Sequence, residues 1–274
     1  MRLYFASACS HGDRLSGWGV ENYLYSYLIL RNKKNNKNSI FDHDIKGTKH
    51  VLDSGAHTFQ QADKPFSFED MEKFLEEYGQ FIKDHNDKFE WFAEMDIDNR
   101  VGLPIVDNWR RQLEKISPKI LPVWHTYRGV KNFKKLCDNY KDFGVGKVTR
   151  EKIISRKDLC KLLIYAYKAG CRVHGFGITD PSICYNLPLY SVDSTSWLSA
   201  ETYGTITIFD KKKMKFVNFY YKDINKFKKY FVKLSDMDML TDYHSRTKFV
   251  VDQYKEFEKS VNKVWKRRGI DWEK

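Results

Sequence analysis

The stretch YSVDSTSWL, residues 190–198, decides how this chain is read. A short apolar run delivers one carboxylate, Asp193, and small hydroxylated residues follow at once. The acid then stands at the tip of a strand, where the chain turns. The pattern recurs twice upstream. Asp53 ends the run VLD before Ser54 and Gly55, and Asp96 ends WFAEMD. Strand-end acids contributed by several strands are how a parallel α/β barrel assembles a site.

Working outward, apolar and amphipathic runs alternate along the chain. Strands are expected at 2–8, 50–55, 90–96, 120–125, 143–148, 171–178, 189–194 and 205–210. Helices are expected at 20–31, 67–85, 104–116, 130–140 and 156–170. Ser67 stands three residues before Asp70 in capping-box spacing, Pro104 suits a first helical turn, and Gly170 suits a helix end. Strands rich in Val, Ile, Leu and Phe suit a parallel sheet buried on both faces. Eight of them with helical crossovers predict an α/β fold, a TIM (β/α)8 barrel over residues 1–210. Residues 211–274 read as a basic extension packed on the barrel: a hairpin in DKKKMKFVNFYY, then helices at 222–234 and 239–266.

Composition narrows the class. With 274 residues, 42% of them hydrophobic, the chain can bury one large core and is not a disordered segment. No apolar run reaches the ~18 residues of a membrane span, so no membrane partner is expected. The first residues, MRLYFASACSHGD, turn polar too soon for a signal peptide. Five scattered cysteines without a C-x-x-C pair point to a reduced, cytoplasmic setting and to no structural zinc site. The formal charge of +12 allows a polyanionic partner without specifying one.

In a barrel the carboxyl ends of the strands form the active face. Read in order, those ends carry Ser10 and His11, Asp53 and Ser54, Asp96 and Asp98, His125, Gly144 and Gly146, His174 with Gly175 and Gly177, then Asp193 and Ser194. Simpler roles exist for each. Aspartates in βα turns also cap helices, lone histidines are usually satisfied in a core, and glycines permit close packing.

LDSGAHTFQ, EMD, PVWH, FGVGKVTRE, VHGFGITDPS and YSVDSTSWL, taken in that order over roughly residues 50–198, resemble the strand-end motifs of the tRNA-guanine transglycosylases. Two departures matter. Ala56 replaces the second glycine of the family's DSGG, with extra residues before Phe59 and Gln60. No cysteine follows Cys184, so the family's three-cysteine, one-histidine zinc site lacks its cysteine ligands here. The chain is more similar to the virus-encoded branch that exchanges guanine for a 7-deazaguanine in DNA. The resemblance implies Asp193 as nucleophile and Asp53 as the acid/base. It implies Ser54, Gly55, Asp96, His125, Gly144, Gly146, His174 and Gly175 as the base pocket, with Asp98 as an alternative to Asp96. It further implies no cofactor beyond the deazaguanine base, and nucleic acid as partner, with DNA favoured over tRNA.

The chemistry agrees with that assignment. Base exchange at a sugar needs a nucleophile for the anomeric carbon, a group that moves the proton of the heterocycle, and an acceptor that reads the purine edge. Two other functions fit the same residues. A metal-dependent hydrolase would use His11, His125, His174, Asp53 and Asp193 as ligands. A non-catalytic binder of nucleic acid or nucleotides would keep the barrel without turnover.

Overall fold

The run ILPVWH (120–125) contains a proline, which has no N–H to give to a strand ladder. The computed structural model describes residues 1–32, 47–56, 66–146, 154–230 and 240–272, and it breaks this run at Pro122. Ile120–Leu121 pairs with Trp91–Ala93 through Phe92↔Ile120 and Ala93↔Leu121. Val123–His125 pairs instead with Asp142–Gly146, in the register Val123↔Gly144, Trp124↔Val145 and His125↔Gly146. One covalent segment therefore stands at both ends of the strand order.

In chain order the elements are β1 (Arg2–Ala6), α1 (Ala8–Gly17), β2 (Asn22–Ser26), α2 (Tyr27–Asn32), β3 (Lys49–Asp53), α3 (Phe68–Asp84), β4 (Trp91–Ala93), α4 (Asp98–Val101), α5 (Leu103–Glu114), β5 (Ile120–Leu121) and β6 (Val123–His125). Then come α6 (Gly129–Asn139), β7 (Asp142–Gly146), α7 (Arg156–Lys168), β8 (Arg172–Gly175), α8 (Pro181–Cys184), β9 (Ser191–Ser194), α9 (Ser199–Thr202), β10 (Thr205–Asp210), β11 (Lys215–Tyr220) and α10 (Tyr243–Arg267). Among the described residues the main sheet has nine strands in the order β5-β4-β3-β2-β1-β9-β8-β7-β6. With β5 and β6 taken as one interrupted run, this is the eight-position order of an α/β barrel of the TIM type.

Besides the broken run at 120–125, the helix expected at 222–234 is a 3-10 helix over Tyr221–Tyr230 within the described residues, and two further expected elements change. The helix expected at 20–31 splits, and its first half is β2, parallel to β1 (Phe5↔Tyr23) and to β3 from Asn22↔Lys49 to Ser26↔Asp53. Tyr23 and Tyr25 are fully buried, and aromatic residues suit a pleated, enclosed surface better than a helix. The strand expected at 205–210 as the eighth of the barrel is β10, which pairs antiparallel with β11 in a separate two-stranded sheet. Its Thr-Ile-Thr-Ile alternation gives the strand chemically unlike faces, with Thr205 and Thr207 on one and Ile206 and Ile208 on the other. The short hairpin turn is held by Asp210, whose Oδ1 accepts from the N–H of Lys212 and of Lys213 at 3.1 Å. His57, Phe59, Gln60 and residues 147–151 of the quoted motifs lie outside the described residues, as does 231–239 of the tail.

The chain divides into two compact units, residues 4–146 and residues 1–3 with 147–274. In the first, Ser67 and Asp70 form the expected capping box of α3. That helix buries Phe74, Leu75, Tyr78 and Ile82, and the Tyr78 hydroxyl donates to the Ala93 carbonyl at 2.8 Å. In the second, α10 buries Val250, Val251, Tyr254, Phe257, Val261 and Trp265. The Trp265 indole donates to the Cys184 carbonyl at 2.8 Å, and Glu258 accepts from the Leu3 N–H at 2.8 Å. Arg246 is buried too, its guanidinium donating to the carbonyls of Ala200, Leu240 and Thr241. No helix among the described residues is long and apolar enough to cross a membrane.

Gly55 shows how tightly α2 seats against the β3 turn. Its φ is +76°, and a Cβ there would lie 2.5 Å from the Leu28 Cβ and 2.8 Å from the Ser26 hydroxyl. Gly55→Ala should therefore lower unfolding stability by about 1–3 kcal/mol, measured by urea denaturation. An unchanged midpoint would mean that α2 does not pack there.

Candidate active site

β4 runs straight into an acid-rich segment, Glu94-Met-Asp96-Ile-Asp98. The segment lies past the end of β4, and three carboxylates at alternate positions compete for partners over a short span. The structure resolves the competition by giving each a different environment.

Glu94 is 0% exposed. Its carboxylate accepts from Arg110 of α5 at 2.9 Å, from Arg128 at 3.3 Å and from the Val123 N–H at 2.8 Å. Burial pushes this carboxyl up, against the pull of Arg128, Arg110 and the Val123 amide. Asp98 is tied down as well. Arg128 Nη2 and Nε reach it at 2.7 and 3.0 Å, and the Tyr127 hydroxyl at 2.8 Å. Burial disfavours its ionised form, but the hydrogen bonds from Arg128 and Tyr127 outweigh it and hold the carboxyl below its ordinary value.

Asp96 faces His125 instead, with Oδ2 2.9 Å from Nε2. His125 ends β6, is 2% exposed, and stacks on Tyr127 with ring centroids 5.2 Å apart and planes 2° from parallel. Its Nδ1 has no hydrogen-bond partner among the described residues. Gly146 makes room for this ring, since a Cβ there would lie 2.6 Å from His125 Cε1 and 3.0 Å from Nδ1. Of the two acids weighed at the sequence level, Asp98 is spent on Arg128 and Tyr127, and Asp96 is the one paired with the histidine.

The end of β3 lies in the same unit. Asp53 is half-buried, and its charge, after burial, raises the Tyr78 hydroxyl well above its ordinary value. The Ser54 hydroxyl donates to the Glu94 carbonyl at 3.1 Å and accepts from the Ala56 N–H at 3.3 Å, so it is already committed. Gly55 is required by α2, as described. The Gly144 N–H donates to the Pro122 carbonyl at 2.8 Å, which fixes β7 on the interrupted strand.

In the unit of residues 1–3 and 147–274, β8 and β9 place His174 opposite Ser191. The Ser191 hydroxyl lies 2.8 Å from His174 Nδ1, and Asp193 Oδ1 lies 3.3 Å from Nε2. The same Oδ1 accepts from the Gly177 N–H at 2.8 Å, and Gly177 takes φ +63°. With Nε2–H donating to the carboxylate, Nδ1 accepts from the serine. Asp193 is thus held by a histidine and a backbone amide and does not cap a helix. Gly175 is a packing residue, since a Cβ would meet Leu189 at 2.9 Å and Ile178 at 3.0 Å.

The sequence reading missed Glu94, Arg110, Tyr127, Arg128 and Ser191. Glu94 had a legible signal, because a carboxylate inside WFAEMD cannot be buried without cations to meet it. His11, read as a strand-end residue, lies within α1 and contacts the Arg14 guanidinium. Among the described residues, no three His, Cys, Asp or Glu side chains cluster as a metal ion would require.

No protein-family model matches the chain, and no curated protein matches it. Similarity appears among solved structures. One is a protein described as a fructose-1,6-biphosphate aldolase from Coccidioides immitis, which superposes with a TM-score of 0.55 at 8% identity, over 96% of this chain and 91% of that one. Two others overlap less well. An aldolase, QR15, has a TM-score of 0.44 at 10% identity over 71% of this chain and 89% of its own. Thiamine phosphate pyrophosphorylase from Pyrococcus furiosus has 0.43 at 10% identity, over 93% and 96%. The first likeness establishes the fold class, an α/β barrel of the TIM type.

Two outcomes follow from this geometry. Asp98 binds its proton less tightly in the folded chain than in the unfolded one, whose ordinary value is 3.8. Its contribution to stability is complete above that value and is lost as pH falls through the lowered folded value. Denaturation across an acid series should show a steeper loss below about pH 4 in the wild type than in Asp98→Asn. Equal slopes would mean that the Arg128 contact does not hold in solution. Gly146→Ala should displace the His125 ring and shift its imidazole NMR resonances, and unchanged resonances would refute the close packing described.

Proposed function

We propose that this chain is a base-exchange transglycosylase that replaces guanine in nucleic acid by a 7-deazaguanine through an aspartyl-glycosyl intermediate. The observation that carries the reading is the clamp on Asp193. Its Oδ1 is held by the Gly177 N–H and faces His174, while its Oδ2 takes no hydrogen bond from the described residues. A carboxylate nucleophile needs this arrangement, with one oxygen fixed and the other presented.

In the reaction, Asp193 Oδ2 forms a bond to the anomeric carbon as the C–N glycosidic bond breaks. The bonding pair leaves with guanine, which takes up a proton from an acid. The incoming deazaguanine then loses its N–H proton to the conjugate base, its nitrogen bonds to the anomeric carbon, and the aspartate is released. Asp53 is assigned the proton transfer, and Asp96 with His125 the reading of the purine edge. Gly144, Gly146, His174 and Gly175 shape or hold these groups more than they touch a base. No cofactor is needed beyond the exchanged base.

Support for a nucleic-acid partner comes from charge. The chain carries +12, and a cleft of about 500 Å3 beside α6 is lined by Lys131, Lys134 and Lys135, with Asn132, Asp138 and the Arg128 already paired to Asp98. Such surfaces track phosphates. With no cysteine ligands for a zinc unit after Cys184, DNA is favoured over tRNA. The metal-hydrolase reading is weaker because both nitrogens of His174 already face partners, Ser191 and Asp193.

The deciding experiment is labelled-guanine exchange on duplex DNA, single-stranded DNA and tRNA, run with wild type and Asp193→Asn. Exchange on DNA should occur with the wild type and fall below detection in the variant, with loss of any covalent adduct on a denaturing gel. Exchange undiminished in Asp193→Asn would remove the nucleophile assignment, and turnover confined to tRNA would remove DNA as substrate.

A further inference from the structure

A second cleft lies wholly within the unit of residues 1–3 and 147–274, and its volume is about 380 Å3. The segment after β8 contributes Thr179 and Asp180, β10 contributes Thr205 and Thr207, and β11 contributes Phe216 and Asn218. The hairpin register explains why four of these converge. Thr207 pairs directly with Asn218, and side chains two apart on a strand share a face, so Thr205, Thr207, Phe216 and Asn218 line one side of the ribbon.

The lining is chemically selective. It holds hydroxyls, an amide, a carboxylate and the rings of Phe216 and Tyr254, but no lysine or arginine, in a chain with 48 of them. A phosphate or other anion would find no countercharge and would meet Asp180. One oxygen of Asp180 accepts from the Ser182 N–H at 2.7 Å and caps α8, and the other takes no hydrogen bond from the described residues. An acceptor-only carboxylate oxygen suits the paired hydroxyls of a vicinal diol, and Asn218 can both donate and accept. Phe216 is half-buried, braced by Tyr254 and Phe257 with centroids 4.7 and 5.1 Å away, and offers an apolar surface to the C–H face of a ring. The volume falls within the range of small-molecule pockets.

We propose that this cleft binds a neutral sugar bearing a vicinal diol, of the size of a ribofuranoside or ribonucleoside. This inference stands apart from the base-exchange reading and from Asp193. Its test is calorimetric titration of the full chain with methyl ribofuranoside and guanosine, each against its 2-deoxy counterpart. The ribo compounds should bind, and the deoxy compounds should bind about tenfold more weakly, as the loss of one good hydrogen bond predicts. Asp180→Asn retains helix capping and should abolish that preference, and Asn218→Ala should weaken ribo binding about tenfold at unchanged melting temperature. Absence of ribo binding, equal binding of ribo and deoxy compounds, unaltered binding in both variants, or displacement of the sugar by inorganic phosphate would each overturn the proposal.

Discussion

The buried carboxylate of Glu94 is the constraint around which the unit of residues 4–146 is organised. Pro122 deprives the strand run 120–125 of one donor, and the next amide, Val123, turns to Glu94 in place of a strand partner. Two guanidiniums complete the shell, Arg110 from α5 and Arg128 from the turn after β6. Such a pairing need not add net stability, but removing one partner leaves an uncompensated buried charge at a cost of about 3–5 kcal/mol. The network therefore specifies geometry. It fixes where β4 ends and where the interrupted strand changes neighbours, and it brings Arg128 to Asp98. With Asp98 occupied, Asp96 is left to pair with His125.

Much of this architecture was legible in the sequence, and the failures have physical causes. Capping chemistry placed α3 because Ser67 and Asp70 act locally. Pro104 likewise falls in the first turn of α5, and Gly170 takes φ +81° at the end of α7. The Asn22–Ser26 strand was hidden because a short apolar run has no decisive period, and the two tyrosines that make it a strand are recognised only by what encloses them. The misplacement of Thr205–Asp210 is the converse case. Its strand character was plain, but membership in the barrel or in a hairpin depends on pairing with Lys215–Tyr220, a tertiary fact.

The candidate site divides in the same way. Strand-end acids and histidines could be located by position alone, and the structure pairs Asp96 with His125 and Asp193 with His174. Sequence could not separate residues that act from residues that position. Ser54 is committed to the Glu94 carbonyl, and Gly55, Gly146 and Gly175 exist where a Cβ would strike a neighbour. Ser191 was invisible as a partner of His174 because only the parallel register of β8 and β9 brings them together.

The interrupted strand also bears on how the chain folds. Its two halves find their partners in β4 and β7, within about thirty residues on either side, so these pairings carry low contact order. Loop-closure entropy for such separations is modest, and the seam can form from sequence-local βαβ pieces. A chain permuted to begin at Val123 would split that seam between two termini. The pairing of β5 with β4 and that of β6 with β7 would each stay local, and only their junction, now a covalent bond, would have to form between the two ends of the chain.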